Sequence, residues 1–518
     1  MASTDRTPKP SSPFDGSIFF PTAIAVLFCC VTLLQAHVKL LWGDEFVTFW
    51  IGRQRSFAGI WGALEAGTDP NPPLMHVLNW WSTSLLGTGP IAIRLPSILG
   101  MGLGLVCLWV FLRRRFAPVY AAAGCLALMA TRGFDYAYDA RSYSLLMGFA
   151  MAAVLLWSLS VEAQGARRVG LLVGLAVALA AGLSSNYYGA LAFFPIAVGE
   201  LRLGFATSPG TEKWRVGAWV AMVVASLPLL AYLPLIRLDV AEYGPHAWDK
   251  PRISMVSDSY LVIVEGILWP VLGLLAYTLW RGRRREVESR FPVWERAAVG
   301  VLIAYPVLGF LVGLCGRGML SARCAVAVCL GVAILGAGLL ARCAKPRTAL
   351  LVVGVLCVWV VAREAVCGIV LVHQRHAFFR LLDAVEQTAA PGEPVVVGDS
   401  LVVFPLYRYG SAALRQQIVF PVDFEAIDRI ERDDSGERDM WSGRNGVFPV
   451  TIAAPAELLG AREERVVVAS PKGWVARDLE ARGYALTEPA NGVPWEWLGG
   501  VFTPLEHEET RILLAAPM

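Results

Sequence analysis

Two adjacent carboxylates, Asp44 and Glu45, interrupt an apolar and aromatic stretch of the sequence, LLQAHVKLLWGDEFVTFWIGRQRSF. A single acid at this place would be explained as a helix cap or as a marker of membrane topology. Two acids among Trp and Phe side chains can also supply a general base, because apolar neighbours keep a carboxylate basic in a water-poor site. The pair therefore indicates either capping with solvated charges or part of a catalytic site.

A second polar segment, DPNPPLMHVL, lies further along the same loop. Asp69 stands two residues before Asn71, and the prolines Pro72 and Pro73 fix the entry of the chain into a helix. A turn that merely precedes a helix has the same composition. This segment indicates a functional site only in combination with other segments.

A third segment, GFDYAYDARSYSLL, combines carboxylates, an arginine and tyrosines. Asp135 and Asp139 are four residues apart, which predicts that they share one helical face. Arg141 and Tyr143 follow directly. Such a set can form a polar, hydrogen-bonding wall, and we interpret it as part of a site.

Isolated cations and other polar side chains complete the candidates. Arg94 stands at the start of an apolar span in IAIRLPSILG, where snorkelling to lipid head groups is the alternative to a binding role. Glu265 lies within another span and is either functional or paired with an arginine. The segments SSNYYGA, GPHAWDKPR and GRGMLSARC supply further candidates: Asn186, Tyr187, His246, Lys250, Arg317 and Arg323.

The elements that hold these residues must suit a membrane. The chain has 518 residues, of which 56% are hydrophobic and 17% are charged, and its mean hydropathy is +0.54. Soluble domains are about 25% charged, whereas this chain offers many windows of the roughly 20 apolar residues that cross a bilayer. We predict a polytopic, all-α membrane protein. A net charge of +3 gives no indication of nucleic acid binding, because the basic residues lie in short loops between apolar runs.

The pattern predicts about eleven transmembrane helices and their orientation. Lys and Arg cluster near residues 113–115, 167–168, 213–215, 281–285 and 345–347, in alternate loops, and such loops are typically cytoplasmic. The N-terminus, with a disordered tail over 1–17, is then cytoplasmic, and everything after residue 371 is extracytoplasmic. The predicted spans are 18–40, 90–112, 117–134, 143–162, 169–186, 187–203, 216–237, 258–280, 297–316, 324–343 and 349–371.

The first outer loop, residues 41–89, is predicted to contain amphipathic helices on the membrane surface. Phe and Trp recur at three- and four-residue spacing between Phe46 and Leu64, which indicates one apolar stripe. A second such helix begins at the two prolines and carries Trp80 and Trp81. The loop would therefore meet substrates whose tails lie in the outer leaflet.

The tail, residues 372–518, changes character. HAFFRLLDAVEQTAA predicts an amphipathic helix, EPVVVGDS and ERVVVAS predict short buried strands, and GWVARDLEARGYAL predicts a following helix. Alternating helix and strand indicates a small C-terminal extracytoplasmic α/β domain behind the transmembrane module of residues 18–371. Asp399, at a strand end, is interpreted as a turn or cap residue.

Metal ligation is not indicated by the sequence. The ten cysteines lie in or beside apolar runs and match no zinc-binding spacing, so we interpret them as small packing residues. No convincing ligand set for another metal is present. We expect no cofactor, although the sequence leaves a divalent cation open.

The order of these motifs resembles the GT-C superfamily of glycosyltransferases that use polyprenyl-phosphate-linked sugars, most closely its protein mannosyltransferase-like and aminoarabinose-transferase-like branch. An acidic pair follows the first span, then a PPL-started surface helix, an R-L-P-S segment, an acid-Ala-Arg-x-Tyr segment and a late outer arginine. The likeness covers roughly residues 18–370. It implies a GT-C-like module in the bacterial inner or plasma membrane.

The resemblance also implies roles for individual residues. Asp44 matches the catalytic acid and Glu45 its neighbour, which would orient the acceptor or a basic partner. Asp139 is a further catalytic candidate. Of the residues that would hold the donor phosphate and substrates, the resemblance matches Arg141, Arg323, Arg94, Tyr143, Asn186 and Tyr187. Residue type and a predicted outer position add Arg317, Lys250, Asp69, Asn71 and His246. Two departures concern donor contacts: Asn186 stands where relatives often have His, and Cys324 follows Arg323 where relatives often have Tyr.

The implied reaction explains the acidic pair. Asp44 would deprotonate an acceptor hydroxyl on a lipid, glycan or protein as it attacks the anomeric carbon, with inversion. Arginines would hold the polyprenyl phosphate that leaves. Other classes stay open: a lipid or sugar transporter or flippase, an O-antigen polymerase or ligase, and a non-catalytic membrane scaffold.

Overall fold

The computed structural model describes residues 18–206, 216–246, 251–282, 291–316, 321–430, 434–455, 466–469, 473–488, 495–496, 509–510 and 512–517. Within these ranges the chain is mostly helical, with a small sheet in the C-terminal part. The predicted disordered tail over residues 1–17 lies outside the described residues.

The first outer loop follows the first apolar helix and contains three short helices. These elements are α1 (Phe19–Val38), α2 (Gly43–Gly52), α3 (Phe57–Glu65) and α4 (Leu74–Leu86). The predicted continuous stripe from residue 46 to residue 64 is wrong, because α2 and α3 are separated by a turn. In that turn Arg55 has a φ of 57°, which a continuous helix does not allow.

A helical bundle follows the loop. Its first helices are α5 (Pro90–Arg113), α6 (Pro118–Met129), α7 (Tyr143–Glu162), α8 (Gly165–Ser185) and α9 (Phe193–Ala206), with 3₁₀ turns at Arg132–Tyr138 and Tyr187–Ala192. The axes of α5 and α7 approach closely through glycines. A Cβ on Gly148 would lie 2.2 Å from the carbonyl oxygen of Gly100, so this crossing requires the two glycines.

The second half of the bundle contains bent helix pairs. It comprises α10 (Val216–Ser226), α11 (Pro228–His246), α12 (Ser254–Asp258), α13 (Glu265–Gly282), α14 (Val293–Ile303), α15 (Tyr305–Gly316), α16 (Val328–Cys343) and α17 (Pro346–Thr388). The chain bends by 44° between α10 and α11, by 96° before α13, and by 59° between α14 and α15.

These helices confirm an integral membrane protein. In the described ranges, six helices are long and apolar enough to cross a membrane, and the three bent pairs raise that number to nine. Two further helices, α6 and α16, are apolar but shorter. Each of the eleven predicted spans overlaps one of these elements. The predicted boundary between residues 371 and 372 falls inside α17, which continues to Thr388.

The C-terminal part forms a six-stranded sheet with helices. The strands are β1 (Val395–Val397), β2 (Ile418–Pro421), β3 (Thr451–Ala453), β4 (Val466–Ala469), β5 (Tyr484–Thr487) and β8 (Ile512–Pro517), while β6 (Trp495–Glu496) pairs with β7 (Glu509–Thr510). The sheet order is β3-β2-β1-β4-β8-β5, with parallel pairing from β3 to β4 and antiparallel pairing at β8. The helices are α18 (Ser400–Tyr409), α19 (Ala412–Gln417), α20 (Phe424–Ile430), α21 (Ser435–Gly443) and α22 (Gly473–Ala481).

The strands and helices expected in the tail are present. The VVV runs form β1 and β4, and the GWVARDLEA segment forms α22. Asp399 caps α18, since its Oδ1 accepts a hydrogen bond from the Leu401 N–H at 2.8 Å. The C-terminal domain and the first outer loop share one hydrophobic core, in which Phe46 and Phe49 of α2 pack with Phe404 of α18. These two aromatic residues of α2 therefore lie against protein.

Candidate active site

The acidic pair lies in the first turn of α2. The chain leaves α1 at Val38 and enters α2 at Gly43, so Asp44 and Glu45 stand near the helix N-terminus, where negative charge is favourable. Successive residues of an α-helix point about 100° apart. The two carboxylates therefore enter different surroundings although they are neighbours in sequence.

Glu45 is completely buried and fully hydrogen-bonded. Its Oε1 accepts from Arg94 Nε at 2.7 Å and from the Ala140 N–H at 2.7 Å. Its Oε2 accepts from Arg94 Nη2 at 2.6 Å and, at 3.4 Å, from the Trp42 N–H. This carboxylate ties α2 to α5 and to the turn before α7, and it does not face an open site.

Arg94 completes this pair and has no donor left over. Besides Glu45, its guanidinium donates to three carbonyl oxygens at the end of α1, those of Ala36 (2.7 Å), Lys39 (2.8 Å) and Leu40 (3.0 Å). A guanidinium has five N–H donors, and all five are used inside the protein. The predicted contact of Arg94 with the donor phosphate therefore does not fit this geometry.

Asp44 faces a different environment, between two arginines. Its side chain is 28% exposed, and its Oδ2 lies 3.4 Å from Arg323 Nη1 and 3.7 Å from Arg141 Nε. The side chains of Arg323 and Arg141 are 26% and 11% exposed. The sequence placed these three residues 97 to 279 positions apart, and the fold brings them together around one accessible carboxylate.

Arg141 is anchored on its other side by Asp69. Arg141 Nη1 donates to Asp69 Oδ2 at 2.9 Å. Burial alone would raise the pKa of Asp69, but attraction to Arg141 and His76 outweighs burial and lowers it. Burial by itself would lower the pKa of Arg141, but Asp69 and Asp44 raise it. Both groups therefore stay charged, and Arg141 is held in a defined orientation beside Asp44.

Asn71 and Asn186 extend this network. The Asn71 amide donates to Asp69, and Asn186 Nδ2 donates to Ser142 Oγ at 3.0 Å and to Asn71 Oδ1 at 3.3 Å. Asn186 is buried and also accepts from the Tyr188 N–H. The network links the first outer loop to the start of α7 and to the end of α8. Asn71 therefore contacts Asp69 directly, and Asn186 contacts Asp69 only through Asn71.

Asp139 is buried. Its Oδ1 accepts from Trp42 Nε1 at 3.0 Å, and its Oδ2 lies 3.5 Å from Lys39 Nζ. Burial raises the pKa of Asp139, but Lys39 and the Trp42 hydrogen bond outweigh it, so the pKa is lowered. The carboxylate is 1% exposed, so Asp139 is less accessible to a substrate than Asp44.

The prediction that Asp135 and Asp139 share one helical face is wrong. The segment forms a 3₁₀ turn that ends at Tyr138, and Asp139 has extended backbone angles. Asp135 consequently points to α17, where it pairs with Arg363 at 2.5 Å. The spacing of four residues indicated an α-helix, which the short turn does not form.

Tyr143 forms an aromatic wall beside the arginines. The Arg323 guanidinium lies 5.8 Å from the centre of the Tyr143 ring, within cation–π distance. The ring centres of Tyr136 and Tyr143 are 4.7 Å apart. Tyr187 begins the 3₁₀ turn after α8, and its hydroxyl is buried.

Several other candidates fall elsewhere. Lys250 and Arg317 lie outside the described residues, and His246 ends α11 with no described side chain. Glu265 begins α13 and pairs with Arg132 Nε at 2.6 Å in an exposed position. Of the two readings of Glu265, pairing with an arginine is therefore the one that the structure bears out.

Two residues near the site were missed from the sequence. Lys39 is 5% exposed beside Asp139, and His76 is 1% exposed with its Nε2 3.6 Å from Asp69 Oδ2. Burial lowers the pKa of His76. The available signals were a lysine at the outer end of the first span and a histidine in the first turn of the PPL helix. Neither distinguishes a site residue from a surface residue without the fold.

Within the described residues, no group of three or more His, Cys, Asp or Glu side chains is placed to hold a metal ion.

Comparison with known proteins gives one family match. Residues 70–235 match the model of the family described as Dolichyl-phosphate-mannose-protein mannosyltransferase. The matched range includes Asn71, Arg94, Asp139 and Arg141, and it begins after Asp44 and Asp69. No curated protein matches the chain.

Solved structures share the fold over nearly the whole chain. ArnT from Cupriavidus metallidurans in the apo state is 15% identical, with a TM-score of 0.61, over 96% of this chain and 97% of that chain. ArnT bound to undecaprenyl phosphate is 15% identical, with a TM-score of 0.60, over 97% and 98% of the two chains. The oligosaccharyltransferase AglB from Archaeoglobus fulgidus, in complex with an inhibitory peptide and a dolichol-phosphate, is 9% identical, with a TM-score of 0.45, over 94% and 76%.

The likeness to ArnT extends beyond the range predicted from the sequence, because it includes the C-terminal domain. Together with the family match, it confirms the resemblance inferred from the order of the motifs: this chain has the fold of the GT-C glycosyltransferases.

Proposed function

We propose that the protein is an inverting glycosyltransferase that moves a sugar from a polyprenyl phosphate to an acceptor hydroxyl, with Asp44 as general base. One observation carries this proposal. Of the two neighbouring carboxylates, Glu45 is sealed by Arg94, whereas Asp44 is accessible between Arg141 and Arg323. A base beside two guanidinium groups suits a reaction whose leaving group is a phosphate.

The chemistry balances with these groups alone. The acceptor oxygen forms a bond to the anomeric carbon, and its proton passes to Asp44. The bond from that carbon to the phosphate oxygen breaks, and its electron pair leaves on the polyprenyl phosphate. Direct displacement inverts the anomeric centre. Arg323 and Arg141 stabilise the charge that develops on the leaving phosphate.

The buried acids have a positioning role in this proposal. Glu45 and Arg94 hold α2 against α5 and the Asp139-to-Arg141 turn. Asp139 orients Trp42, which precedes α2. Asp69, Asn71 and Asn186 orient Arg141.

The membrane arrangement is proposed on the basis of the loop charges. The chain crosses the bilayer about eleven times, with a cytoplasmic N-terminus and an extracytoplasmic C-terminal domain, in a bacterial plasma membrane. The site then lies at the outer face, at the depth of lipid head groups. The ArnT structure that contains undecaprenyl phosphate supports a donor of this class. The acceptor is a lipid, glycan or protein hydroxyl.

The test is a transfer assay with purified protein in detergent. A panel of undecaprenyl-phosphate hexoses and pentoses is offered beside the matching nucleotide sugars, with a membrane extract as acceptor. We expect transfer from a lipid-phosphate sugar, with inversion seen by NMR of the product. Transfer from nucleotide sugars alone, retention of configuration, or no transfer from any lipid-linked donor would contradict the proposal.

The orientation has its own test. A reporter fused after Met518 should be active only on the outer side of the membrane. Activity in the cytoplasm would overturn both the topology and the placement of the site.

A further inference from the structure

The C-terminal domain touches the helix that carries Asp44. Helix α18 lies along α2, where the ring centres of Phe46 and Phe404 are 5.8 Å apart and both side chains are buried. The hydroxyl of Tyr409 accepts a weak hydrogen bond from the Leu41 N–H at 3.4 Å. The contact therefore covers α2 and the segment just before it.

The two helices also approach each other at the first residue of α2, next to Asp44. A Cβ on Gly43 would lie 2.6 Å from Leu401 Cδ2 and 3.3 Å from Leu401 Cα, where ordinary contact begins at 3.4 Å. Gly43 does not adopt a positive φ. The space for a side chain at Gly43 is thus limited by Leu401 of the neighbouring helix and not by its own backbone conformation.

A second anchor lies at the other end of α18. Arg408 Nη2 donates to the Thr88 carbonyl oxygen at 3.1 Å, in the loop before α5, and its guanidinium lies 5.9 Å from the centre of the Phe49 ring. Helix α18 thus contacts the first outer loop both at the base-bearing helix and at the loop's far end.

Helix α2 depends on such contacts. It has only ten residues, and isolated helices of that length are marginal in water. One side of α2 is held by the Glu45–Arg94 pair, and the other side by α18.

We propose that α18 of the C-terminal domain is a positioning element for catalysis, which acts through Gly43 and Phe46 to set the position of Asp44. This inference rests on the proposed role of Asp44 as base. It gives the C-terminal domain a part in the reaction even though α18 contributes no group to the reacting atoms. An error of about 1 Å in the position of a catalytic group can reduce rate by about 10²-fold.

The experiment is a volume exchange across this contact in the full-length protein. Gly43→Val adds three carbon atoms against Leu401, and Leu401→Ala removes three. We expect Gly43→Val to lower kcat by roughly 10- to 100-fold with little change in donor KM. Adding Leu401→Ala should restore kcat at least about tenfold, because the clash is relieved.

The matched control is Gly62→Val on α3 of the same loop, where a Cβ would meet nothing within 4 Å; its kcat should stay normal. Phe404→Leu is a milder probe, expected to lower kcat by about two- to tenfold through the lost ring contact. Melting temperatures of all variants separate misfolding from mispositioning.

The outcomes distinguish the two proposals. Normal turnover by Asp44→Asn would remove the base assignment itself. If Asp44→Asn is inactive but Gly43→Val and Phe404→Leu turn over normally, only the positioning role fails. The same conclusion follows if the Gly43→Val/Leu401→Ala double variant is no faster than Gly43→Val.

Discussion

The carboxylates of Glu45 and Asp44 lie on two sides of α2 and have opposite surroundings. On the Glu45 side, both carboxylate oxygens accept hydrogen bonds. Arg94 donates all five of its N–H groups, two to Glu45 and three to carbonyl oxygens at the end of α1. On the Asp44 side, the ion-pair distances are 3.4 and 3.7 Å and the side chain is 28% exposed.

This difference distinguishes a carboxylate that supports the fold from one that a substrate can reach. A fully satisfied, buried ion pair stabilises one arrangement of the backbone and offers nothing to a substrate. A partly exposed carboxylate that lies 3.4 and 3.7 Å from two guanidinium groups can be reached from outside the protein. In the proposed function, these adjacent residues of the same chemical type have separate roles because the helix points them in different directions.

The largest expected effect on rate comes from Asp44→Asn. This change keeps the size of the side chain and removes its basicity, and a positioned base contributes about 10²–10⁴-fold to rate. Turnover should fall by that order, while the melting temperature and donor binding stay near those of the wild type. Asp383→Asn, at an exposed position of α17, is the control. Near-normal turnover by Asp44→Asn would make Asp139 the next candidate.

Glu45→Gln should have the largest effect on stability. We expect Glu45→Gln to cost less turnover than Asp44→Asn, because Glu45 does not face an open site. The buried pairing adds a structural cost, because removing one charge leaves Arg94 buried and uncompensated, which typically costs about 3–5 kcal/mol. We expect a clearly lowered melting temperature in detergent. A melting temperature equal to that of Asp44→Asn would show that the two sides of α2 do not differ as described.

Substitution of the two arginines beside Asp44 should affect donor binding alike but melting temperature differently. Lysine cannot reproduce a bidentate guanidinium contact, so Arg323→Lys and Arg141→Lys should each weaken donor binding roughly 10- to 100-fold. Only Arg141→Lys should also lower the melting temperature, because Arg141 holds buried Asp69. Arg132→Lys, in an exposed pair with Glu265, is the control. Normal donor binding by both variants would place the phosphate contact at Lys250 or Arg317.

The smallest expected effect is a loss of stability at low pH that depends on His76. Burial lowers the pKa of His76 below its usual 6.5, so the folded state resists a proton that the unfolded chain accepts. Stability is unaffected above that value and falls as pH drops below it, by at most about 1.4 kcal/mol per pH unit. The loss of melting temperature between pH 7.5 and 5.5 should be smaller in His76→Gln than in the wild type. Equal slopes would exclude this histidine as the cause.

Much of the architecture could be read from local patterns. Apolar runs predict membrane helices because the bilayer imposes a length and excludes charge, and each predicted span has a helical counterpart. The VVV runs predicted β1 and β4. The order of Asp44, the PPL segment and Arg141 was enough to indicate the superfamily, since each motif lies at the end of a predictable element.

Three-dimensional contacts were needed for the roles of individual residues. The sequence grouped Asp44 with Glu45 and Arg94 with Arg323, because residue type and loop side are all that a linear pattern records. Which acid is sealed and which is accessible depends on helix direction and on partners more than 45 residues away, such as Arg94, 49 positions from Glu45. The contact of α2 with α18, between Phe46 and Phe404, joins residues more than 300 positions apart. The burial and the partners of each residue depend on many such distant contacts, and a local sequence pattern contains no information about them.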